Sequence, residues 1–316
     1  MIHSITADLE HQLEQRLGRT YARRRLGIER DHEQRVFGDG MKSFRFESWR
    51  YSPFIIRATL KLLGLYGRGR RNAERLEVRQ NMVRSARIPR DFDEFTILHI
   101  SDMHVDMNEG AIRCLTTILP ELNYDICVLT GDYRGKTYGP FDQTIAGLAQ
   151  VRGHLKHPVY GVLGNHDTIA MVPSLERLGI RMLLNETEVL SRGSDHIYLA
   201  GIDDANYYRV HNIEQVAAEV PDREFSILLS HTPEIYRQAA HADFDLLLSG
   251  HTHGGQICLP GSVAITLGAD LPRRLGSGAW RYHDMAGYTS AGLGSCVVPV
   301  RFNCPPEVTL HRLLRA

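Results

Sequence analysis

Five short motifs, each following directly on an apolar run, constrain this chain more than any other feature. Thr96-Ile97-Leu98-His99-Ile100 leads to Asp102-Met103-His104, and residues 126–130 lead to Gly131-Asp132. Residues 158–163 lead to Gly164-Asn165-His166-Asp167, residues 225–229 to Ser230-His231, and residues 244–248 to Gly250-His251-Thr252-His253-Gly254-Gly255. Short, mostly apolar runs read as strands covered on both faces, the habit of parallel sheets. Open α/β sheets place their sites beyond the carboxyl ends of such strands. All five motifs can therefore meet along one edge. They would bring together three carboxylates, one amide and five imidazoles, a set suited to two hard-to-borderline divalent cations. Any one motif alone is weak evidence for a metal; five in order at strand exits are strong evidence.

The amino-terminal quarter has a different character. Residues 1–90 carry 20 Lys and Arg against 10 Asp and Glu, and the remainder 17 against 27. A basic segment joined to an acidic body implies an anionic partner for the first and cation binding for the second. Between Ser4 and Phe37 a helix is expected, with Ile5, Leu9, Leu13, Leu17 and Tyr21 forming a slowly winding stripe that packs on the body or on another helix. Residues 44–66 hold Phe44, Phe46, Trp49 and Tyr51, then Ser52-Pro53 as a helix start, then a wide apolar arc from Phe54 to Tyr66 interrupted by Arg57, Lys61 and Gly64. With Arg68, Arg70 and Arg71 following, this segment suits a helix in a membrane interface. It also suits a lid over an apolar ligand, or a buried helix with snorkelling cations. Two domains are expected: a basic amphipathic helical extension over 1–75 and a catalytic domain over 76–316.

From residue 76 onward strands and helices alternate. Helices are expected near 110–120, 141–152, 173–179, 213–218 and 233–240, and late strands at 285–290, 295–300 and 307–313. No run of about 18 apolar residues predicts a bilayer-spanning helix, and Met1 leads into polar sequence rather than a secretory signal. The five cysteines lack a CxxC pair and read as free thiols in a reducing compartment. The expected location is cytoplasmic, peripheral on the inner face of the cytoplasmic membrane.

Taken in order, Asp-x-His, Gly-Asp, Gly-Asn-His-Asp, His and Gly-His-x-His resemble the calcineurin-like metallophosphoesterase superfamily, over roughly residues 95–315. Gly250 to Pro260 and Pro299 to Val308 are similar to one bacterial branch, which includes membrane-associated phosphoesterases and a UDP-2,3-diacylglucosamine hydrolase of lipid A synthesis. The other well-known lipid A hydrolase has Gly-Asn-Arg-Asp at the third motif, so His166 argues against that one. The resemblance implies an α/β fold, a four-layer α-β-β-α sandwich with an N-terminal helical extension. It implies one metal held by Asp102, His104, Asp132 and His253, and a second held by Asp132, Asn165, His231 and His251, with Asp132 bridging. Manganese is the first expectation; iron, zinc and magnesium are admissible.

His166 would protonate the leaving group or bind a phosphate oxygen. The family's usual Gly-Asp-x-x-Asp is absent, because Gly131-Asp132-Tyr133-Arg134-Gly135 has no second carboxylate. Asp167 or a more distant group would take its place, and Arg134 is a candidate contact for a substrate phosphate. The expected activity is hydrolysis of a phosphodiester or pyrophosphate bond in a membrane-associated substrate, UDP-2,3-diacylglucosamine above others. An anionic membrane surface or lipid-linked substrate would meet residues 44–71. The alternatives are a phosphodiesterase or nuclease acting on nucleotides or nucleic acid, disfavoured by the aliphatic face at 54–65, and a non-catalytic metal-binding scaffold.

Overall fold

The computed structural model describes residues 6–37, 52–156 and 158–316. Helices α1 (Ala7–Leu17), α2 (Arg19–Phe37), α3 (Ser52–Leu62) and α4 (Tyr66–Asn72) lead into β1 (Glu77–Ser85) and β2 (Thr96–Ile100). Then come α5 (Glu109–Ile118), β3 (Ile126–Leu129), α6 (Asp142–Arg152), β4 (Val159–Gly161), α7 (Val172–Arg177) and β5 (Arg181–Met182). The second half holds β6 (Glu186–Arg192), β7 (Asp195–Gly201), α8 (Ile213–Ala218), β8 (Ser226–Leu229), α9 (Tyr236–His241) and β9 (Leu246–Ser249). A small hairpin of β10 (Cys258–Leu259) and β11 (Val263–Ala264) precedes β12 (Gly278–Tyr282), β13 (Met285–Thr289) and β14 (Glu307–Arg315).

Two six-stranded sheets result, in the orders β1-β14-β2-β3-β4-β5 and β12-β13-β9-β8-β7-β6. Strands β2 to β5 run parallel, as do β7, β8, β9 and β13. The period of two along each strand builds the layers. Ile97, Val128, Ile227, Leu229, Leu246 and Leu248 point into one core between the sheets. Their neighbours Leu98, Cys127 and Leu129 face outward under α5, α6 and α7, and Leu228 and Leu247 face outward under α8 and α9. This is the expected four-layer α-β-β-α sandwich.

The helix expected from Ser4 to Phe37 is two helices. Gly18, at φ +83°, ends α1 with its N–H on the Glu14 carbonyl, and α2 starts at once. Ser4 and Ile5 lie outside the described residues. The winding stripe is used as expected: Leu13, Ala22 and Leu26 join the core of the first sheet's outer face, with Leu9, Leu17 and Tyr21 packed against it. The extension is thereby a part of the helical layer. Some of its positive charge is matched within the molecule. Arg16 pairs with Glu176 at 2.8 Å and Glu186 at 2.7 Å, and buried Arg25 pairs with buried Asp203 at 2.9 Å while lying 3.6 Å over the Tyr208 ring.

The aromatic cluster Phe44, Phe46, Trp49 and Tyr51 lies outside the described residues. Helix α3 is described, and it is not a buried helix: Phe54 is 72% exposed and Leu62 88%, with Ile55 and Leu63 also exposed. No helix among the described residues is long and apolar enough to cross a membrane. One expected strand is absent. Residues 295–300 form a loop, with Val297 at φ +64° and Pro299 unable to donate to a ladder. The Gln256 side chain pins this loop, accepting from the Cys296 N–H and donating to the Cys296 and Val298 carbonyls.

Candidate metal centre

Each motif sits where its strand stops, and the ligand residues themselves make the turn. Asp102, His104, Asp132, His251 and His253 all have positive φ, between +39° and +71°. Side chains rarely adopt this region, and such strain gathers at functional sites held by their surroundings. Glycine is needed where these turns approach one another. A methyl group at Gly250 would overlap Ser101 Oγ and Asp102 Oδ2.

The turns bring seven of the expected residues together in two groups. On one side His104 Nε2 lies 3.2 Å from His253 Nε2, and His253 Nε2 lies 3.5 Å from Asp102 Oδ1. On the other, Asn165 Oδ1 lies 2.8 Å from His251 Nδ1 and 3.0 Å from His231 Nε2. Asp132 stands between: its Oδ2 is 3.3 Å from His231 Nε2 and 3.9 Å from His104 Nε2. The tautomers explain what this cluster is for. His104 Nδ1 is 2.8 Å from the Arg134 carbonyl and His231 Nδ1 is 2.7 Å from the Thr130 carbonyl. A carbonyl only accepts, so both Nδ1 atoms carry protons and both Nε2 atoms are the ones left to face carboxylate and amide oxygens. Buried acceptors that face one another need a cation. Asp102, His104 and His253, and likewise Asp102, Asp132 and His231, offer atoms within 4.8 Å of one another. The donor set fits divalent metals.

Without a metal, a proton fills part of that need. Burial opposes charging His231, but the Asp132 carboxylate outweighs it and lifts the ring to about 10. Burial would likewise raise Asp132, yet His231 and His166 hold it well below the usual carboxylate range. A metal must therefore displace the His231 proton. Below about pH 10 the metal-free protein holds that proton, so metal affinity is expected to rise with pH across the neutral range. Calorimetric titration of manganese in buffers of different ionisation enthalpy should show net proton release; zero release at neutral pH would contradict this.

His166 borders the same space, with Nε2 3.9 Å from Asp132 Oδ2 and its side chain 18% exposed. Burial pushes its pKa down to about 4, so the ring is neutral. Of the two partners expected for His166, Asp167 or a more distant group, the structure places the second: Thr137 Oγ1 lies 3.0 Å from His166 Nδ1. Asp167 accepts the backbone N–H groups of Asp132, Tyr133 and Gly164 at 2.8–3.0 Å and so fastens the second motif to the third. Arg134 is also placed differently from expectation. It is buried, and its guanidinium donates to the carbonyls of His166, Gly139 and Thr137. It holds the His166 loop and is not among the residues that line the cavity over the metal donors.

A supporting chain was not apparent from the motifs. Ser101 Oγ donates to Asp102 Oδ2 at 2.6 Å, and Thr130 Oγ1 donates to Ser101 Oγ at 2.7 Å. His99 Nε2 lies 2.8 Å from Thr130 Oγ1, and His311 Nε2 lies 3.2 Å from His99 Nδ1. With Asn81 3.0 Å from His311 Nδ1, every donor can point toward Asp102. Burial keeps both rings neutral, His99 at about 3 and His311 well below its ordinary value. Polar residues inside otherwise apolar strands were the available signal. His99→Leu removes the donor to Thr130, and is expected to weaken metal affinity about 10- to 100-fold with little change in kcat at saturating metal. His99→Gln, which keeps a donor, should recover much of it. Activity titrated with manganese reads this directly; an unchanged half-saturation point in His99→Leu would refute the relay.

The cavity over the donors has a volume of about 250 Å³. Its floor includes Asp132, Asn165, His166, His251 and His253, and its wall is Ile56 of α3 with Ile257, Ile265, Leu267, Val297 and Val298. Residues 95–255 match the calcineurin-like phosphoesterase family. The chain belongs to that family. It is 30% identical over 230 residues to the uncharacterized metallophosphoesterase YkoQ of Bacillus subtilis (strain 168), covering 70% of this chain and 84% of that one. It is 26% identical over 233 residues to the phosphodiesterase YaeI of Escherichia coli (strain K12), covering 70% and 82%. Among solved structures, TT1561 of Thermus thermophilus is similar with a TM-score of 0.44 and 13% identity, over 63% of this chain and 90% of that one. This calcineurin-like phosphoesterase is a metal-dependent phosphoester hydrolase that uses divalent cations.

Proposed function

We propose that the chain hydrolyses a phosphodiester or pyrophosphate bond in a substrate that also carries an apolar group, presented at a membrane surface, and that UDP-2,3-diacylglucosamine is the specific candidate. The observation that carries this reading is the composition of the catalytic cavity. Six aliphatic side chains line it opposite the metal donors, with Thr252, Gln256, Thr266 and Cys296 among them. A phosphate-bearing ligand without an apolar part would leave that wall wet. The exposed apolar residues of α3 continue from Ile56 outward, next to a basic stretch, which supports peripheral docking on the anionic inner face of the cytoplasmic membrane.

In this reading Asp102, His104, Asp132 and His253 would hold one divalent cation, and Asp132, Asn165, His231 and His251 would hold the other. When bound, the pair supplies positive charge for activating water and for stabilising the phosphoryl oxygens. Asp132 serves both cations because a carboxylate has two oxygens and a charge. In the tautomer in which the Thr137 hydroxyl donates to Nδ1, His166 carries its proton on Nε2 and would offer it to a phosphoryl oxygen. The wall seats the apolar group and keeps bulk water from that side. Manganese is the first metal to supply.

The test is a substrate panel with manganese. UDP-2,3-diacylglucosamine is set beside bis(p-nitrophenyl) phosphate, a cyclic nucleotide, a phosphomonoester and single-stranded DNA. The highest kcat/KM is expected for the lipid-linked pyrophosphate. A preference for cyclic nucleotide or DNA, together with binding to oligonucleotide but not to anionic vesicles in flotation, would replace this reading with a nucleotide or nucleic-acid phosphodiesterase.

A further inference from the structure

A second cavity, of about 840 Å³, lies apart from the catalytic one and shares no lining residue with it. The loop 296–305 divides them: Cys296, Val297 and Val298 face the catalytic side, while Arg301, Asn303 and Pro305 face the other. This second cavity is strongly basic. Arg68 and Asn72 come from α4, Arg75 from the turn after it, and Arg113 from α5. Among the described residues, Arg68 and Arg75 have no side-chain hydrogen bond or ion pair, and Arg113 has only a loose exposed pair with Glu109 at 3.6 Å. Two carboxylates also line the space, but Glu77 is engaged by Arg79 at 2.9 Å, and Glu74 packs over Gly110.

Arg301 closes the wall and is fully buried. Its guanidinium donates to the carbonyls of Ala291 at 2.8 Å, Gly292 at 3.0 Å and Cys304 at 3.4 Å, and through Nε to Gly294 at 3.0 Å. These carbonyls are neutral; Nη1 also reaches Cys304 Sγ at 3.9 Å, and Nη2 lies 3.5 Å from Nδ1 of His253 in the metal centre. Among the described residues no carboxylate forms an ion pair with it, so a buried positive charge stands beside the cavity with only the Cys304 thiol, 3.9 Å away, in contact as a group that can turn anionic. Burying such a charge is costly, and an anion in the cavity would offset it. The size falls in the range of about 300–1,000 Å³ usual for small-molecule sites. Leu76, Ile118 and Pro305 add an apolar side.

We propose that this cavity is a second, non-catalytic site for an organic phosphate or pyrophosphate, held by Arg68, Arg75 and Arg113, with the charge of Arg301 behind its wall. Guanidinium groups suit the purpose because their forked donors match phosphate oxygens in pairs. A soluble phosphorylated metabolite and an anionic lipid headgroup share the chemistry required. The proposal does not depend on which bond the catalytic site cleaves.

The experiment uses the full chain freed of metal by a chelator, so that the catalytic centre lacks its cations. Equilibrium dialysis with radiolabelled pyrophosphate should show saturable binding that weakens as salt is raised. The pair Arg75→Glu and Arg113→Glu, both outside the catalytic machinery, should weaken that binding at least tenfold. Manganese-dependent hydrolysis of bis(p-nitrophenyl) phosphate should survive in the same variant, which shows that it folds. The milder pair Arg75→Ala and Arg113→Ala should give an intermediate loss. Flotation with phosphatidylglycerol vesicles, against phosphatidylcholine vesicles, separates the sources. A parallel loss of vesicle binding in the variants identifies a lipid headgroup, and undiminished vesicle binding identifies a soluble phosphate. Pyrophosphate that fails to bind, or binds the wild type and the charge-reversed pair equally, overturns the proposal.

Discussion

Asp132→Asn is expected to abolish hydrolysis, with kcat/KM falling at least about 1,000-fold, equivalent to about 4 kcal/mol of barrier, and to leave the protein unable to retain two metals. Asp132 is placed between the two groups of donors, 3.3 Å from His231 on one side and 3.9 Å from His104 on the other. Two cations about 3.5–4 Å apart repel each other strongly, and a shared carboxylate is what lets them coexist. Asparagine keeps the shape and one oxygen but removes the charge. It also withdraws the counter-ion that raises His231, so that ring should fall toward its ordinary value and the metal-free variant should release fewer protons on binding manganese. The variant is expected to stay folded, because Asp132 is fixed by its backbone: its N–H reaches Asp167 and its carbonyl accepts from His104. Metal analysis after desalting, beside kinetics, checks both halves. An active variant holding two metals would remove Asp132 from the bridge.

His166→Ala separates binding from turnover. It should keep both metals and lose about 100- to 1,000-fold in kcat, the usual cost of removing one donor to developing charge. His166 is neutral near neutral pH because burial holds it at about 4. Its Nε2 proton is therefore one to share with a phosphoryl oxygen, rather than an extra proton to hand to a leaving group. The two roles differ in a measurable way. A hydrogen bond to a phosphoryl oxygen makes the loss similar for nitrophenol and alkoxide leaving groups. Proton donation makes the loss larger for the alkoxide. Similar losses are expected. Thr137→Val should produce a smaller version of the same defect, since it takes the partner from Nδ1 but leaves the ring. Full activity in His166→Ala would take the residue out of the mechanism.

The site was legible in the sequence because its residues follow a local rule: ligands come immediately after short apolar strands. Strands β2, β3, β8 and β9 are buried along nearly their whole length, so composition alone revealed them. Strand β1 was not legible. Most of Glu77–Ser85 is exposed and polar, and it is a strand through backbone pairing with β14, at the far end of the chain. The apolar run at 295–300 misled for the opposite reason, since its valines line a cavity rather than a sheet. The roles of Asp167, Arg134 and Thr137 depend on which backbone groups a fold brings near, and residue type does not encode that. The same holds for His99, whose place in an apolar strand was visible but whose connection to Asp102 passes through Thr130, at the end of a different strand. The charge imbalance of the first ninety residues proved to have several outlets. Arg16 and Arg25 use it inside the molecule, while Arg68 and Arg75 leave it facing a cavity.

The central claim is that two cations share Asp132. Low-temperature electron paramagnetic resonance of the protein loaded with manganese tests it most directly. The spectrum of an exchange-coupled manganese pair is expected at saturation, replaced in Asp132→Asn by weak or isolated-ion signals. An isolated-ion spectrum in the saturated, active wild-type protein would contradict it.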